Sequence, residues 1–426
     1  MENSGTNASV LVIGAGIAGV ESSLLLANAG KKVYLVEKAS CIGGNFIRWE
    51  ELFPSMECGN CMVAPVLEEV IENHNIELLT LSEVEDVRGS PGDFTVKVKK
   101  RARYVSTESC IGCNACFEPC PVEVDNEFEE GLSKRKAIYI PCTGALPNAP
   151  AIDADNCLRF KGQDCQLCQE ACVFEAIDYT EQDEELELKV EAIVVATGFQ
   201  TFDLTTVPQY GYGKLDDVYS IVEFERMSAS NGPTQGQIVL RNGETPKSAA
   251  IIHCVGREEK GYCSSICCMA SLKEAHFLKK KIPEAKITEL YSDLCIPGRS
   301  YQAFCEEVRE TGIDLIRGTV NEVKHNSAGI AIKYRAEDGT EGTIDVDMVI
   351  LAPAIEPQAG SPELATILGV SQDEHGFFSQ KEPDLDSIGT SREGIFIAGC
   401  AESPKDIPDT VAEAQATVGR ILSVTR

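Results

Sequence analysis

An apolar run, VLVI, passes directly into Gly14-Ala15-Gly16-Ile17-Ala18-Gly19. A helix-patterned segment then leads to a second apolar run, VYLV, that ends on Glu37. Strand, glycine turn, helix, strand and acid in this register are the fingerprint of a βαβ dinucleotide-binding unit. Gly14 makes the tight turn, Gly16 lets a pyrophosphate approach the backbone at the helix N-terminus, and Gly19 allows close helix–strand packing. Glu37, followed by Lys38, is placed to accept from ribose hydroxyls. The start of the chain is thereby committed to a parallel α/β sheet, and 426 residues leave room for two or three domains.

Three further features decide between FAD and NAD. Gly43-Gly44 follows shortly after the acid, AIVVATGF (192–199) ends an apolar strand on Gly198, and GIFIAGCAESPKDIPDTVAEAQA (394–416) gives another strand, turn and helix. Together they resemble the FAD domain of the thioredoxin reductase-like flavoproteins, which is discontinuous in sequence. Those proteins usually carry an aspartate after the final Ala-Gly. Here Gly399 is followed by Cys400, and Asp406 with the backbone of the following helix is the expected substitute.

The chain holds 19 cysteines. The N-terminus, MENSGTNASV, lacks a basic segment followed by an apolar core, and no apolar run approaches the roughly 18 residues needed to span a bilayer. A cytoplasmic protein without a transmembrane segment is expected, and in that compartment such cysteines bind metal or do redox chemistry rather than form disulfides. Their spacing is specific. Cys110-x2-Cys113-x2-Cys116-x3-Cys120-Pro121 is the bacterial ferredoxin run, in which three thiolates ligate one cluster and the fourth ligates its neighbour. With Cys157-x7-Cys165-x2-Cys168-x3-Cys172 it implies two [4Fe–4S] clusters, one on Cys110, Cys113, Cys116 and Cys172, the other on Cys120, Cys157, Cys165 and Cys168. Zinc sites rarely show this spacing.

A second Rossmann-like pattern begins at SAAIIHCVG (248–256), where an enzyme using NAD(P)H would carry a second glycine loop. That loop is absent. Cys254, a charged turn, and then Cys263, Cys267 and Cys268 take its place. The chain reads as a dinucleotide-fold domain that has exchanged its nicotinamide site for a cluster of thiols, the basis for a third [4Fe–4S] cluster.

The motifs are spread along nearly the whole chain: GAGIAG with VEK, FPSMECGNCMVAP (53–65), KVKKRARYV before the ferredoxin run, PVEVDNEFEEGLSKRKAIYIP (121–141), CVG with YCSSICC, GRSYQAFCEEVRETGIDLIRG (298–318), and GIFIAGCAESPKDIPDTVAEA (394–414). In these the chain resembles the flavin-carrying member, the A subunit, of the heterodisulfide reductases, in the compact form found among bacterial relatives. The resemblance implies an α/β fold, a thioredoxin reductase-like two-Rossmann flavoprotein with an inserted α+β bacterial-type ferredoxin domain. It implies one FAD and three [4Fe–4S] clusters, the third on Cys254, Cys263, Cys267 and Cys268 close to the flavin. It places Lys273, five residues beyond the cysteine pair, near the isoalloxazine as a tuning charge; read without the resemblance, Lys273 is a solvated helix lysine. Implied partners are the other subunits of such a complex and an electron carrier such as ferredoxin. A homodimer of the flavin subunit is a further expectation.

The domains expected are an FAD-binding part at 1–102, the ferredoxin insertion at 103–180, an FAD continuation and linker at 181–245, the loop-altered Rossmann domain at 246–358, and a final FAD part at 359–426. Cys58 and Cys61 form a C-x2-C pair near the expected flavin. They read as a redox pair, as further cluster ligands with Cys41 and one more, or as inert loop thiols. Cys142, Cys295 and Cys305 read as ordinary buried thiols.

A formal net charge of −29 argues against nucleic acid and against docking on an anionic membrane. The function expected is an electron-transfer oxidoreductase subunit that converts two-electron flavin chemistry into one-electron steps, by bifurcation in the family it resembles. The alternative is a self-contained NAD(P)H-dependent disulfide or ferredoxin reductase.

Overall fold

A computed structural model describes residues 9–327 and 329–425, so the N-terminal octet read above for a leader lies outside the described residues. The chain divides into two units. The first comprises residues 1–47, 61–199 and 357–426, and the second comprises 48–60 and 200–356.

The first unit is organised by five parallel strands in the order Ile395–Ile397, Ala192–Val195, Ser9–Ile13, Lys32–Val36, Ile76–Leu79. Val10, Leu11, Val12, Ile193, Val194 and Val195 are fully buried, because the parallel sheet is covered on both faces, by helices on one and by an antiparallel sheet on the other, and its strands must be apolar throughout. The helices Ile17–Asn28 and Ile407–Val424 pack on it. Strands from the two ends of the chain thus share one sheet. The FAD pieces are scattered in sequence for this reason.

A three-stranded antiparallel sheet joins that core: Ser82–Ser90, Asp93–Lys100 and Glu184–Val190. Along Asp93–Lys100, Phe94, Val96 and Val98 point inward and alternate with Thr95, Lys97 and Lys99. Lys100 pairs with Glu184, so the chain leaves and re-enters this sheet at neighbouring residues. Residues 101–183 therefore form an insertion in what would otherwise be a hairpin turn, the kind of site where an insertion leaves the parent core undisturbed.

The root of the insertion is fixed by one buried guanidinium. Arg103 donates to the Ser40 carbonyl at 2.6 Å, to Thr80 Oγ1 at 2.8 Å and to the Ala149 carbonyl at 2.9 Å. It thereby ties the insertion to the two loops that follow the second and third Rossmann strands. Inside the insertion the apolar core contains Cys116, Cys120, Cys157 and Cys168, packed with Val105, Ile138, Ile152 and Ile177. Short paired segments, Ile138–Tyr139 with Ala151–Ile152 and Val124–Asp125 with Lys134–Arg135, hold its loops.

The second unit has a seven-stranded sheet in the order Val218–Ser220, Met348–Pro353, Ser248–Val255, Lys286–Tyr291, Asp314–Asn326, Gly329–Ala336, Glu341–Val346. Its first five strands are parallel, and the last three form antiparallel hairpins. The helix Cys267–Lys281 packs against Ser248–Val255 and Lys286–Tyr291.

The linker expected within 181–245 is not what the structure contains. Val218–Ser220 is the edge strand of the second sheet, and Ile221–Ser228 is a buried helix started by a capping box of Ser220 and Glu223. The glycine, proline, serine and aspartate of the stretch made it look like linker, and its helix carries Glu225 and Arg226. Both charged side chains are in fact buried and ion-paired or hydrogen-bonded.

Replacing Arg103 by Met should leave four acceptors, the Pro150 carbonyl at 3.4 Å included, without their donor and destabilise the first unit by about 3 kcal/mol, the scale of a lost buried charged hydrogen-bond network. Urea denaturation checks it, and a loss below about 0.5 kcal/mol from the midpoint shift would refute the anchoring role.

Candidate functional site

The glycine turn of the first unit has the shape that a dinucleotide needs. A Cβ on Gly19 would lie 1.8 Å from the Gly14 carbonyl oxygen, so helix and strand can approach only without a side chain there. A Cβ on Gly16 would meet nothing within 4 Å: space lies open above the start of the helix. Gly44 returns over that point, with its own Cβ position 2.9 Å from the Gly16 Cα. The Glu37 carboxylate sits at the tip of its strand and accepts from the Ala15 N–H at 2.7 Å and the Ala39 N–H at 2.8 Å. Lys38 reaches Gln358 at 3.3 Å. The ATG turn adds Thr197, whose hydroxyl is buried with no hydrogen-bond partner, next to Gly198 in the left-handed region. An open space at a helix N-terminus and an orphaned hydroxyl fit a bound FAD.

At the last FAD motif the Cys400 thiol donates to the Lys405 carbonyl at 3.3 Å, and burial pushes it up to about 11. Glu413 accepts from the Gly399 N–H at 2.6 Å and pairs with Lys405 at 2.8 Å. Asp406 caps the helix Ile407–Val424 by accepting from the Asp409 N–H.

Two thiol groups form in the insertion. Burial, then the neighbouring Cys168, Cys110 and Cys172, push Cys116 up to about 12. Cys168 is raised by burial and by Cys157 and Cys120 beside it. Cys120, Cys157, Cys165 and Cys168 line one apolar cavity with Ile138, Ile152 and Tyr179. Among the described residues no three ligand-type side chains close on a point as they would around a single ion. Four thiols spread around the walls of an apolar cavity suit the larger core of an iron–sulfur cluster. Backbone N–H groups already point at sulfur: Gly112 N to Cys110 Sγ and Ala176 N to Cys172 Sγ, each at 3.4 Å. Cys113 is exposed within its loop, where Asn114 adopts φ +61°.

The third group is built by a break in a strand. Between Ile252 and Val255 the register of Ser248–Val255 slips, and Cys254 adopts φ +59°. A bulge of this kind re-aims a side chain. The turn Arg257–Lys260 and the loop with Ser265 at φ +62° then bring in Cys263, Cys267 and Cys268. Cys267 is raised by Cys268, by burial, and by Cys254 and Cys263 nearby, so the four thiols share one neighbourhood. Cys268 is drawn down to about 4, first by Cys267 and then, against burial, by the His253 ring. His253 pairs with Glu289 at 2.9 Å with both side chains fully buried; burial opposes its charge, yet Cys268 and Glu289 lift it to about 10. The thiolate of Cys268 is thus favoured, the form in which a cysteine can bind a metal.

Sequence reasoning took Cys295, which is half-buried, for an ordinary buried thiol and passed over the roles of Arg257 and Glu289 in this neighbourhood. Cys295 lies beside Cys263 and Cys268, and its backbone N–H donates to Cys268 Sγ at 3.4 Å. Arg257 bonds Cys254 and also Asp293 at 3.0 Å. Glu289 supports His253. The available signal was strand order: Ser248–Val255 and Lys286–Tyr291 are adjacent and parallel, so the loops after them meet at the same edge.

Lys273 is buried, which rules out the solvated helix lysine. It pairs with Glu225 and, at 3.0 Å, with Glu274, and stands 5.5 Å over the Trp49 ring. Lys273 holds Glu225 below the usual carboxylate range against the effect of burial, while burial and Glu225 push Glu274 well above it. The charge is real but locally balanced. Cys58 is half-buried, paired across from Glu51, and Cys61 is exposed in the first turn of the helix Gly59–Glu72.

The family model for FAD dependent oxidoreductases matches residues 9–53. The chain is 39% identical over 419 residues to the A subunit of the H(2):CoB-CoM heterodisulfide,ferredoxin reductase of Methanothermobacter thermautotrophicus, covering 96% of this chain and 63% of that one. It is 40% identical over 422 residues to the iron-sulfur A subunit of the CoB--CoM heterodisulfide reductase of Methanocaldococcus jannaschii, covering 97% and 64%. The chain thus spans less than two thirds of the length of these curated relatives. Among solved structures, Lactococcus lactis thioredoxin reductase matches with a TM-score of 0.54 at 14% identity over 98% of both chains. The fold is that of the thioredoxin reductase-like flavoproteins. No helix among the described residues is long and apolar enough to cross a membrane.

Substituting Lys273 by Met should destabilise the protein by roughly 3–5 kcal/mol, because Glu225 is left buried and unpaired, and adding Glu225→Leu should recover most of that loss. Denaturant titration of the two variants checks it; equal stability of single and double variant would show that the pair is not coupled.

Proposed function

This chain is a homologue of the heterodisulfide reductase A subunits, and we propose that it serves as the flavin and iron–sulfur component of a multisubunit oxidoreductase of that kind. The observation that carries this reading is the end of the strand Ser248–Val255. Where a nicotinamide phosphate loop would sit, the strand bulges at Cys254 and four thiols gather. A flavin exchanges electrons in pairs or singly and iron–sulfur clusters exchange them singly.

The residues divide the work accordingly. Gly14, Gly16, Gly19, Glu37, Gly43, Gly44, Gly198 and Gly399 shape the FAD cradle. Cys110, Cys113, Cys116 and Cys172 hold one [4Fe–4S] cluster, Cys120, Cys157, Cys165 and Cys168 a second, and Cys254, Cys263, Cys267 and Cys268 a third. His253 and Arg257 offset thiolate charge at the third group. Lys273 is assigned to tuning the flavin, its charge fixed by Glu225 and Glu274. Cys58 and Cys61 serve as a redox pair or as further ligands. The first relative's name pairs a heterodisulfide with ferredoxin, which supports splitting of electron pairs between two acceptors as the form this conversion takes. We place the protein in the cytoplasm with partner subunits, and assign a homodimer of the flavin-carrying chain to the assembly.

A self-contained NAD(P)H-dependent reductase would need a second glycine loop, and the sequence after Val255 has Gly256 and Arg257 with a charged turn instead. Anaerobic mixing with NADPH or NADH should leave the flavin oxidised over seconds. Rapid stoichiometric bleaching would sink the proposal.

The holoprotein should contain one FAD and about twelve iron, from three four-iron clusters. Cys267→Ser should lower iron to about eight while FAD and the ferredoxin-type signals persist. Iron, flavin and electron paramagnetic resonance analysis measure this; unchanged iron content would remove Cys267 from the ligand set.

A further inference from the structure

The two thiol groups of the insertion differ in what touches their sulfurs. In the first, backbone N–H groups of Gly112 and Ala176 donate to Cys110 and Cys172. In the second a side chain reaches in: the Tyr179 hydroxyl lies 3.0 Å from Cys168 Sγ. Either atom can donate while the thiol keeps its proton. A ligating cysteine is a thiolate with no proton to give. The phenol, which ionises only near about pH 10 by itself, then becomes the donor.

The rest of the insertion fixes that hydroxyl in place. Its segment pairs through the bridge of Val105 with Ile177, and the Asp178 N–H donates to the Tyr104 carbonyl at 3.1 Å. Gln169, next to Cys168, donates from Nε2 to the Ile177 carbonyl at 3.0 Å. The turn that carries the sulfur and the segment that carries the phenol are therefore tied to each other. Phe160 packs edge-on against the tyrosine ring at 6.1 Å, and the Arg159 guanidinium stands 5.3 Å from the ring centre. The surroundings are apolar. Val122, Ile138, Ile152 and Leu158 line the same cavity as Cys168 and Tyr179. A hydrogen bond in such a place is electrostatically stronger than in water, and hydrogen bonds to ligand sulfurs are one of the levers on a cluster's potential.

We infer that Tyr179 sets the reduction potential of the cluster held by Cys120, Cys157, Cys165 and Cys168, by donating to the Cys168 sulfur and stabilising the negative charge that an added electron spreads onto it. Tyr179 is a positioning residue: it touches a ligand and not the iron. The phenol keeps its proton, and the one electron gained by this cluster is lost by the flavin or a neighbouring cluster of the same chain. The inference rests on the cluster assignment proposed above, and iron content, measured first, separates a failure of that assignment from a failure of this one.

The test is an anaerobic redox titration of the holoprotein followed by electron paramagnetic resonance. The component that disappears in Cys165→Ser reports the second cluster. Tyr179→Phe should keep about twelve iron and shift that component's one-electron equilibrium about tenfold toward the oxidised form, a midpoint about 59 mV lower, with the other components unmoved. 3-Fluorotyrosine in place of Tyr179, a more acidic phenol and a stronger donor, should raise the midpoint instead. A Tyr179→Phe equilibrium shifted less than about twofold, about 18 mV, with iron retained, would overturn the inference. So would loss of about four iron from Tyr179→Phe, because the hydroxyl would then build the site rather than tune it. A parent protein with only about four iron would sink the cluster assignment and this inference with it.

Discussion

Bringing four thiolates to one place is unfavourable, because each must leave water and each repels the others. Much of the local structure offsets that. Backbone N–H groups of Gly112, Ala176, Ser265 and Cys295 each donate to a cysteine sulfur at 3.4 Å. At the third group the charged ring of His253, backed by Glu289, and the guanidinium of Arg257 add positive charge. Asn114, Glu175, Cys254 and Ser265 hold left-handed backbone without being glycine, all within a few residues of the cysteines. Such conformations persist only where surrounding structure imposes them, and they gather here around the loops that must aim sulfur.

The same constraint explains how two different scaffolds do the aiming. In the insertion there is little regular structure, with a helix of only four residues at Leu167–Glu170, and the cysteines themselves make up much of the apolar core. A core built largely of thiols is one whose folding would be coupled to any metal those thiols bind. In the second unit a rigid parallel sheet supplies the frame. A single bulge and a pair of adjacent strand ends are enough to converge Cys254, Cys263, Cys267, Cys268 and Cys295. The insertion is grafted at Lys100 and Glu184 and held at its root by Arg103, so it and the Rossmann core share one unit without sharing a sheet.

Much of this was legible in the residues. The glycine turn, the strands of the FAD pieces and the ferredoxin spacing are local patterns whose physical meaning does not depend on what packs around them. Glu37 was identified from its place at a strand end, and it is there that its carboxylate takes two backbone N–H groups. What escaped was whatever depends on partners distant in sequence. The helix Ile221–Ser228 looked like linker because the stretch around it is rich in glycine, proline, serine and aspartate, and only the buried partners of Glu225 and Arg226 make it interior. Lys273 read as a surface lysine when taken alone, for the same reason.

The sequence by itself determined the chemistry on offer: a dinucleotide cradle, because glycines and an acid at fixed offsets suit no other backbone path, and thiol sets whose short spacings force them into single loops. The tertiary structure decided which thiols meet and what charge surrounds them. Cys295, His253 with Glu289, and the balanced charge of Lys273 arise from adjacent parallel strands and from a helix packed across them. Such contacts join residues tens of positions apart, where no local period or spacing carries a signal.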